Sequence, residues 1–155
     1  MVNCAMLKCS HRPEAVMTEL LKANFCLQPS GDSPTRRSTF DALIAGCIPV
    51  FFRRDSAYEQ YTWHLPSDPE TYSVFIAEER MVNSRKALKI EDVLSSYSQE
   101  KIRKMREKIV EIMPSLLYMN FAEKDGGEIF PRDAFDLSIE GMLRKVMSSR
   151  FWNRL

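Results

Sequence analysis

The run FCLQPSGDSPTRRSTFDALIAGCIPVFF, from Phe25 to Phe52, constrains the fold of this chain more than any other segment. It reads as strand, polar turn, helix, strand. Phe25-Cys26-Leu27 and Cys47-Ile48-Pro49-Val50-Phe51-Phe52 are short apolar runs bounded by turn residues, the pattern of buried parallel strands. Between them lies Pro29-Ser30-Gly31-Asp32-Ser33-Pro34-Thr35-Arg36-Arg37-Ser38, with one glycine, adjacent arginines, an aspartate and several hydroxyls. A helix starting there aims its free N–H groups and the positive end of its dipole into the turn. Ser33 can serve as N-cap with Pro34 at the first helical position; Thr35 is a competing cap. Phe40, Leu43, Ile44 and Cys47 then follow helical spacing as the face that packs on the sheet, and Gly46 ends the helix. On spacing alone two readings stand, an ordinary packing unit with a basic surface turn and a phosphate-holding turn.

Alternation of element types continues on both sides. Pro13 opens a helix through Leu21, with Val16, Met17, Leu20 and Leu21 as its inner side, and Tyr72-Ser73-Val74-Phe75-Ile76 reads as a third strand. Ile90 to Leu94 is a short helix. Ser98 to Met113 is a longer one, with Ile102, Met105, Ile109 and Ile112 inside and a solvated face of interspersed Lys, Arg and Glu outside. Pro114 marks a kink or a new start, Asp125-Gly126-Gly127 a loop. Arg132 to Ser149 forms the last helix, with Phe135, Ile139, Met142, Leu143 and Val146 facing in. This order argues an α/β fold with a small parallel sheet flanked by helices.

A chain of 155 residues is one domain with enough apolar content for a core. Its net charge of +1 provides no field for a polyanion, which disfavours nucleic acid. No apolar run reaches membrane-spanning length, and no signal peptide opens the sequence. Of four cysteines, Cys26 and Cys47 sit in apolar strand contexts as small core residues, while Cys4 and Cys9 are close enough to pair in an oxidising compartment. His11 and His64 have no ligand-spaced partners, which leaves no metal motif. Motifs for a nucleophile elbow, a P-loop, a dinucleotide fold and a zinc protease are absent, as is any Asp-x-Asp pair. What remains is the turn. Arg37 and Asp41 lie one helical turn apart and Ser38 three residues before Asp41, so all three share one side. Such a group suits a phosphorylated sugar or nucleotide; the alternative is an exposed helix ion pair.

Several segments together resemble the exostosin-type glycosyltransferases. They are Phe25-Cys26-Leu27-Gln28-Pro29, Gly31-Asp32-Ser33, Thr35-Arg36-Arg37-Ser38, Phe40-Asp41-Ala42, Ala45 through Phe52, Ser56-Ala57-Tyr58 and Tyr61-Thr62-Trp63-His64-Leu65-Pro66. The likeness is strongest to the plant xyloglucan galactosyltransferase (Katamari-type) branch of family 47. It extends into Tyr72 to Ile76 and, more loosely, to Asp133-Ala134-Phe135-Asp136. Asp41 before Ala42, with Gly46 and Pro49 following, is also similar to the L-E-A-x-x-x-G-x-P-V pattern of two-domain glycosyltransferases.

The resemblance implies a GT-B enzyme of two Rossmann-like domains, inverting and independent of metal, with no cofactor beyond the UDP-sugar donor. It implies UDP-galactose as donor and a cell-wall polysaccharide, xyloglucan, as acceptor. Gly31, Asp32, Thr35, Arg36, Arg37 and Ser38 match the donor-binding turn. Arg36 or Arg37 would neutralise the leaving diphosphate, the role of a metal elsewhere, and Asp41 would hold the ribose hydroxyls. Tyr58, Gln60, Tyr61 and Trp63 are candidates for the sugar side of the cleft, with aromatic packing the alternative for Trp63. Two departures stand out: Arg53-Arg54-Asp55 replaces the usual His-Pro-Gly after the second strand, and Pro34 replaces a tyrosine.

The expected organisation is a single exostosin-type donor-binding domain over residues 1–155, with its core at 13–78 and C-terminal helices at 90–149. The family's amino-terminal acceptor domain, expected home of the general base, and its membrane anchor have no counterpart, as in a truncated gene product. The polysaccharide would be engaged through that other domain, and the full-length parent would work in the Golgi lumen. The competing expectation is an inactive remnant that binds a nucleotide sugar or a partner without transfer.

Overall fold

Three short strands, β1 (Phe25–Gln28), β2 (Ile48–Phe51) and β3 (Val74–Phe75), form one parallel sheet in the order β1-β2-β3. The computed structural model that shows this describes residues 13–82, 88–118 and 132–148. Register pairs Phe25 with Ile48 and Gln28 with Phe51, then Val50 with Val74 and Phe51 with Phe75. The helices are α1 (Pro13–Lys22), α2 (Ser38–Ile44), α3 (Glu79–Val82), α4 (Ile90–Ser95), α5 (Gln99–Ile112) and α6 (Ala134–Ser148). Cys4, Cys9, His11 and the loop expected at Asp125-Gly126-Gly127 lie outside the described residues.

The central strand β2 is buried along its whole length. It carries Pro49, a residue that usually breaks a central strand because it has no N–H for the ladder. The pairing explains why it is tolerated. Ile48 N–H donates toward β1 to the Asn24 carbonyl, and Ile76 N–H donates to the Phe51 carbonyl from the β3 side. Alternation then points the Pro49 nitrogen toward the β3 side. There β3 pairs only with Val50 and Phe51, so no bond is lost.

The core gathers Leu43, Ile48, Val50, Phe51, Tyr72 and Val74 against Ile102, Met105, Ile109 and Ile112 of α5. All four apolar positions expected to face inward on α5 are buried. Its polar side carries the pairs Arg103–Glu100, Lys104–Glu100 and Lys108–Glu111, as expected of a solvated face. Ser98 caps it, accepting from the Lys101 N–H at 3.2 Å. Pro114 ends it in a 3-10 turn, Met113–Leu116.

Three expectations are corrected. α2 begins at Ser38, not near Ser33. The Ser33 hydroxyl donates to the Thr35 carbonyl at 2.9 Å, and Gly31 N–H donates to the Ser33 carbonyl at 3.1 Å. These local bonds make a turn where a cap was expected. The buried face of α2 is accordingly Thr39, Ala42 and Leu43, while Phe40 packs edge-on against Tyr61 with centroids 4.8 Å apart. Second, Leu21 of α1 is exposed; Val16, Met17 and Leu20 are half-buried. Third, Phe135, Ile139, Met142, Leu143 and Val146 of α6 are exposed, and the helix buries only Ala134 and Gly141. Helical spacing aligns those side chains on the helix, and that side stays largely open to solvent.

Among the described residues no helix is long and apolar enough to cross a membrane.

Candidate functional site

In a parallel sheet every strand ends on the same edge, and the loops leaving that edge form the crevice where α/β folds bind ligands. Here that edge receives the turn after β1, residues 29–37, the loop Arg53-Arg54-Asp55 after β2, and Glu78-Glu79 after β3. The turn predicted to hold a phosphate therefore sits where such a turn can act.

Its floor is a side-chain clamp that sequence reading missed. Gln28, the buried last residue of β1, accepts the Ser38 hydroxyl at 2.7 Å and donates from Nε2 to the Ser38 carbonyl at 3.3 Å. One glutamine thus fixes the distance between the end of β1 and the start of α2. The only signal in sequence was a polar residue closing an apolar strand just before a proline.

Arg36 and Arg37, adjacent in sequence, do different things. Arg36 folds back across the turn. Its Nη2 donates to the Ser30 carbonyl at 3.1 Å, and a Cβ on Gly31 would stand 2.9 Å from that nitrogen. Glycine at position 31 leaves room for the guanidinium. Arg37 reaches outward with its side chain 90% exposed and only a loose pairing to Asp41, Nε to Oδ2 at 3.9 Å. Both arginines are exposed, but Arg37 is the one not folded back onto the turn. Asp32 and Gly31 are also exposed, Thr35 is half-buried, and the Ser38 hydroxyl is committed to Gln28.

The far end of α2 is fixed equally firmly. Gly46, with φ of +68°, closes it: Gly46 N–H donates to the Leu43 carbonyl and Cys47 N–H to the Ala42 carbonyl, both at 2.9 Å. Behind it stands a disulfide between Cys26 and Cys47, Cα atoms 5.9 Å apart. This overturns the reading of these cysteines as free core residues. They sit beneath Ala42, Leu20 and Ala23, so their apolar surroundings are real, but the register brings Cys26 beside the entry to β2.

After β2, Arg53 makes a two-pronged bond to Asp55, Nε to Oδ1 at 3.0 Å and Nη2 to Oδ2 at 2.7 Å. That hydrogen bonding holds the Asp55 carboxyl below its ordinary range and the Arg53 guanidinium above its own, helped by the charges of Glu78 and Glu79. Arg54 lies over the Phe75 ring, 5.1 Å from its centroid. An internally closed loop stands where the resemblance led one to expect His-Pro-Gly.

Tyr58 faces elsewhere. Its hydroxyl meets the Ser73 hydroxyl at 2.9 Å and its ring packs edge-on against Phe51 and Phe75, residues of β2 and β3 and not of the turn. Burial raises its phenol above the usual value. No group of three or more His, Cys, Asp or Glu side chains placed to hold a metal occurs among the described residues.

The arrangement can bind an anion next to a hydroxyl-rich group, with Arg37 as an outward-reaching cation and Asp41 as the adjacent acceptor. The sequence profile of the Exostosin GT47 domain matches residues 1–91. Xyloglucan galactosyltransferase XLT2 of Arabidopsis thaliana is 46% identical over 151 residues, covering 97% of this chain and 28% of that protein. "Probable xyloglucan galactosyltransferase GT19" of the same plant is 43% identical over 148 residues, 95% of this chain and 33% of the relative. Xyloglucan galactosyltransferase MUR3 is 43% identical over 143 residues, 92% of this chain and 22% of its own length. The chain thus spans a third or less of the curated relatives it matches.

Proposed function

This chain belongs to the exostosin GT47 family of glycosyltransferases, and from that premise we propose that it forms the donor-binding part of a galactosyltransferase acting on xyloglucan. The observation that carries the proposal is the position of the turn between β1 and α2. It stands at the carboxyl edge of a parallel sheet with the Arg37 guanidinium exposed beside Asp41. UDP-galactose is the donor, in the Rossmann-like second half of a GT-B enzyme.

Arg37 takes the diphosphate. Transfer breaks the bond between the anomeric carbon and the diphosphate oxygen, and the leaving group gains negative charge as it departs. A guanidinium offers two parallel N–H bonds to that charge without a metal. Arg36 braces the turn from Ser30 and adds positive potential, Asp41 receives the ribose hydroxyls, and backbone and side-chain groups of Gly31, Asp32 and Thr35 complete the rim. The acceptor hydroxyl attacks from the opposite face with inversion, and its proton goes to a general base on the acceptor side of the parent protein. The Golgi lumen is the proposed location of that parent; the Cys26–Cys47 disulfide supports an oxidising compartment.

Calorimetry with UDP and UDP-galactose tests the donor site. Saturable binding that Arg37→Ala weakens is expected, and no detectable heat from either nucleotide would sink the proposal. A panel of galactose, galacturonate and arabinose donors, assayed for transfer to xyloglucan by the full-length parent, then tests the sugar.

A further inference from the structure

Trp63 lies outside the donor turn, and its surroundings form a site of their own. Three adjoining indole atoms, Cδ2, Cε2 and Cε3, would stand 2.3, 2.6 and 2.7 Å from a Cβ on Gly141 of α6. Three near-equal distances mean that the flat of the ring rests on the helix backbone, and only glycine permits that approach. Yet Trp63 remains 45% exposed. It lines a cleft of about 800 Å³ between the 59–63 segment and α6, walled also by Glu59, Gln60, Arg132, Glu140 and Arg144. The walls are held. Arg132 and Arg144 both pair with Glu140, and His64 Nε2 meets the Ala134 carbonyl at 3.1 Å, tying the segment to the start of α6.

We propose that this cleft is a glycan subsite, with Trp63 as the platform on which an uncharged pyranose ring of the acceptor chain stacks. A pyranose presents a face of C–H groups flanked by hydroxyls, and an indole backed on one side offers a rigid apolar surface to that face. The lining sets Glu59 and Glu140 against Arg132, Arg144 and Lys145, so its net charge is small and the cleft does not select strongly for an ion. The remaining carboxylate, amide and guanidinium groups around its rim suit hydroxyls, both as donors and as acceptors. The inference rests on the glycosyltransferase reading and adds to it a place for the acceptor on this side of the enzyme.

The test uses the full chain labelled with nitrogen-15, a xyloglucan heptasaccharide as probe and UDP in a parallel titration. The chain has two tryptophans, and Trp63→Phe assigns the Trp63 indole N–H resonance against that of Trp152. The heptasaccharide is expected to move the Trp63 resonance saturably in the unaltered protein. Trp63→Ala should weaken sugar binding about tenfold, the effect of losing one stacked ring, while UDP affinity stays unchanged. The titration is read on the unaltered chain, and Trp152→Phe gives the same assignment if Trp63→Phe fails to fold. A Trp63 signal indifferent to the heptasaccharide in protein that binds UDP overturns the subsite and leaves the donor reading standing. Sugar binding without UDP binding supports the subsite and removes the donor reading; binding of neither removes both.

Discussion

Cys26 in β1 and Cys47 at the entry to β2 are joined by a disulfide that closes a loop with a sequence separation of 21 residues, and the entire candidate donor turn lies inside that loop. The bond ties β1 to the far end of α2, while the Gln28–Ser38 clamp ties the two ends of the turn itself. Its loss should therefore be felt twice. Closing a loop of this length contributes about 3 kcal/mol through the unfolded chain, so the Cys26→Ser, Cys47→Ser double variant should melt on the order of 10 °C lower. UDP affinity should fall as well, because the strand and helix that carry the turn lose their covalent tie. Thermal denaturation and calorimetry of oxidised, reduced and double-variant protein check both effects; a reduced protein with unchanged melting and affinity would count against the role.

The two arginines of the turn should separate cleanly. Arg37 is exposed and its contact to Asp41 is long, so Arg37→Ala should change stability by less than about 0.5 kcal/mol. If it holds the diphosphate, the same change should weaken UDP binding by roughly 1.5–3 kcal/mol, the worth of a hydrogen bond to a charged group. Arg36→Ala should instead loosen the turn, because the bond to the Ser30 carbonyl is lost. Raised amide exchange at residues 30–36 in that variant, and not in Arg37→Ala, is the expected signature.

These contrasts show where sequence reading stops. Strand, helix and strand from Phe25 to Phe52 were legible because apolar runs, Gly46 and helical spacing each report a local backbone preference. The inner face of α5 was legible for the same reason, and the exostosin family through the motifs of the turn. Pairings across elements were not. Nothing near Cys26 distinguishes a packed thiol from a bonded one, since the bond depends on the register that sets β1 against β2. The different tasks of Arg36 and Arg37 depend on the turn closing over Gly31, and the stripe on α6 shows that spacing predicts a shared side without saying what covers it.

Gln28 should prove to be a positioning residue whose effect on the donor passes through Ser38. Gln28→Leu keeps the volume but leaves the Ser38 hydroxyl without its acceptor and takes one donor from the Ser38 carbonyl, at a cost of about 1–3 kcal/mol. Ser38→Ala removes one of the same bonds from the other side. The double variant should cost less than the two single changes together, because they share an interaction. Chemical denaturation of the four proteins measures the coupling; strict additivity would mean that the hydroxyl bond of the clamp contributes nothing.

Stability at high pH should follow the buried phenols. Burial raises the pKa of Tyr72, which is fully buried against the core, and of Tyr58, whose hydroxyl is half-shielded at Ser73. In both the fold favours the neutral form over the phenolate, so the folded value lies above the unfolded value near 10. The sign follows directly. Their contribution is intact below about pH 10, and it is lost as pH rises toward and through the folded values, because the unfolded chain releases its protons first. Each such group steepens the fall by about 1.4 kcal/mol per pH unit in that window. Tyr72→Phe removes one of them without removing a described hydrogen bond, so its melting temperature should decline less steeply between pH 9 and 11 than that of the unaltered chain. Parallel slopes for the two proteins would mean that Tyr72 titrates as freely in the fold as in the unfolded chain.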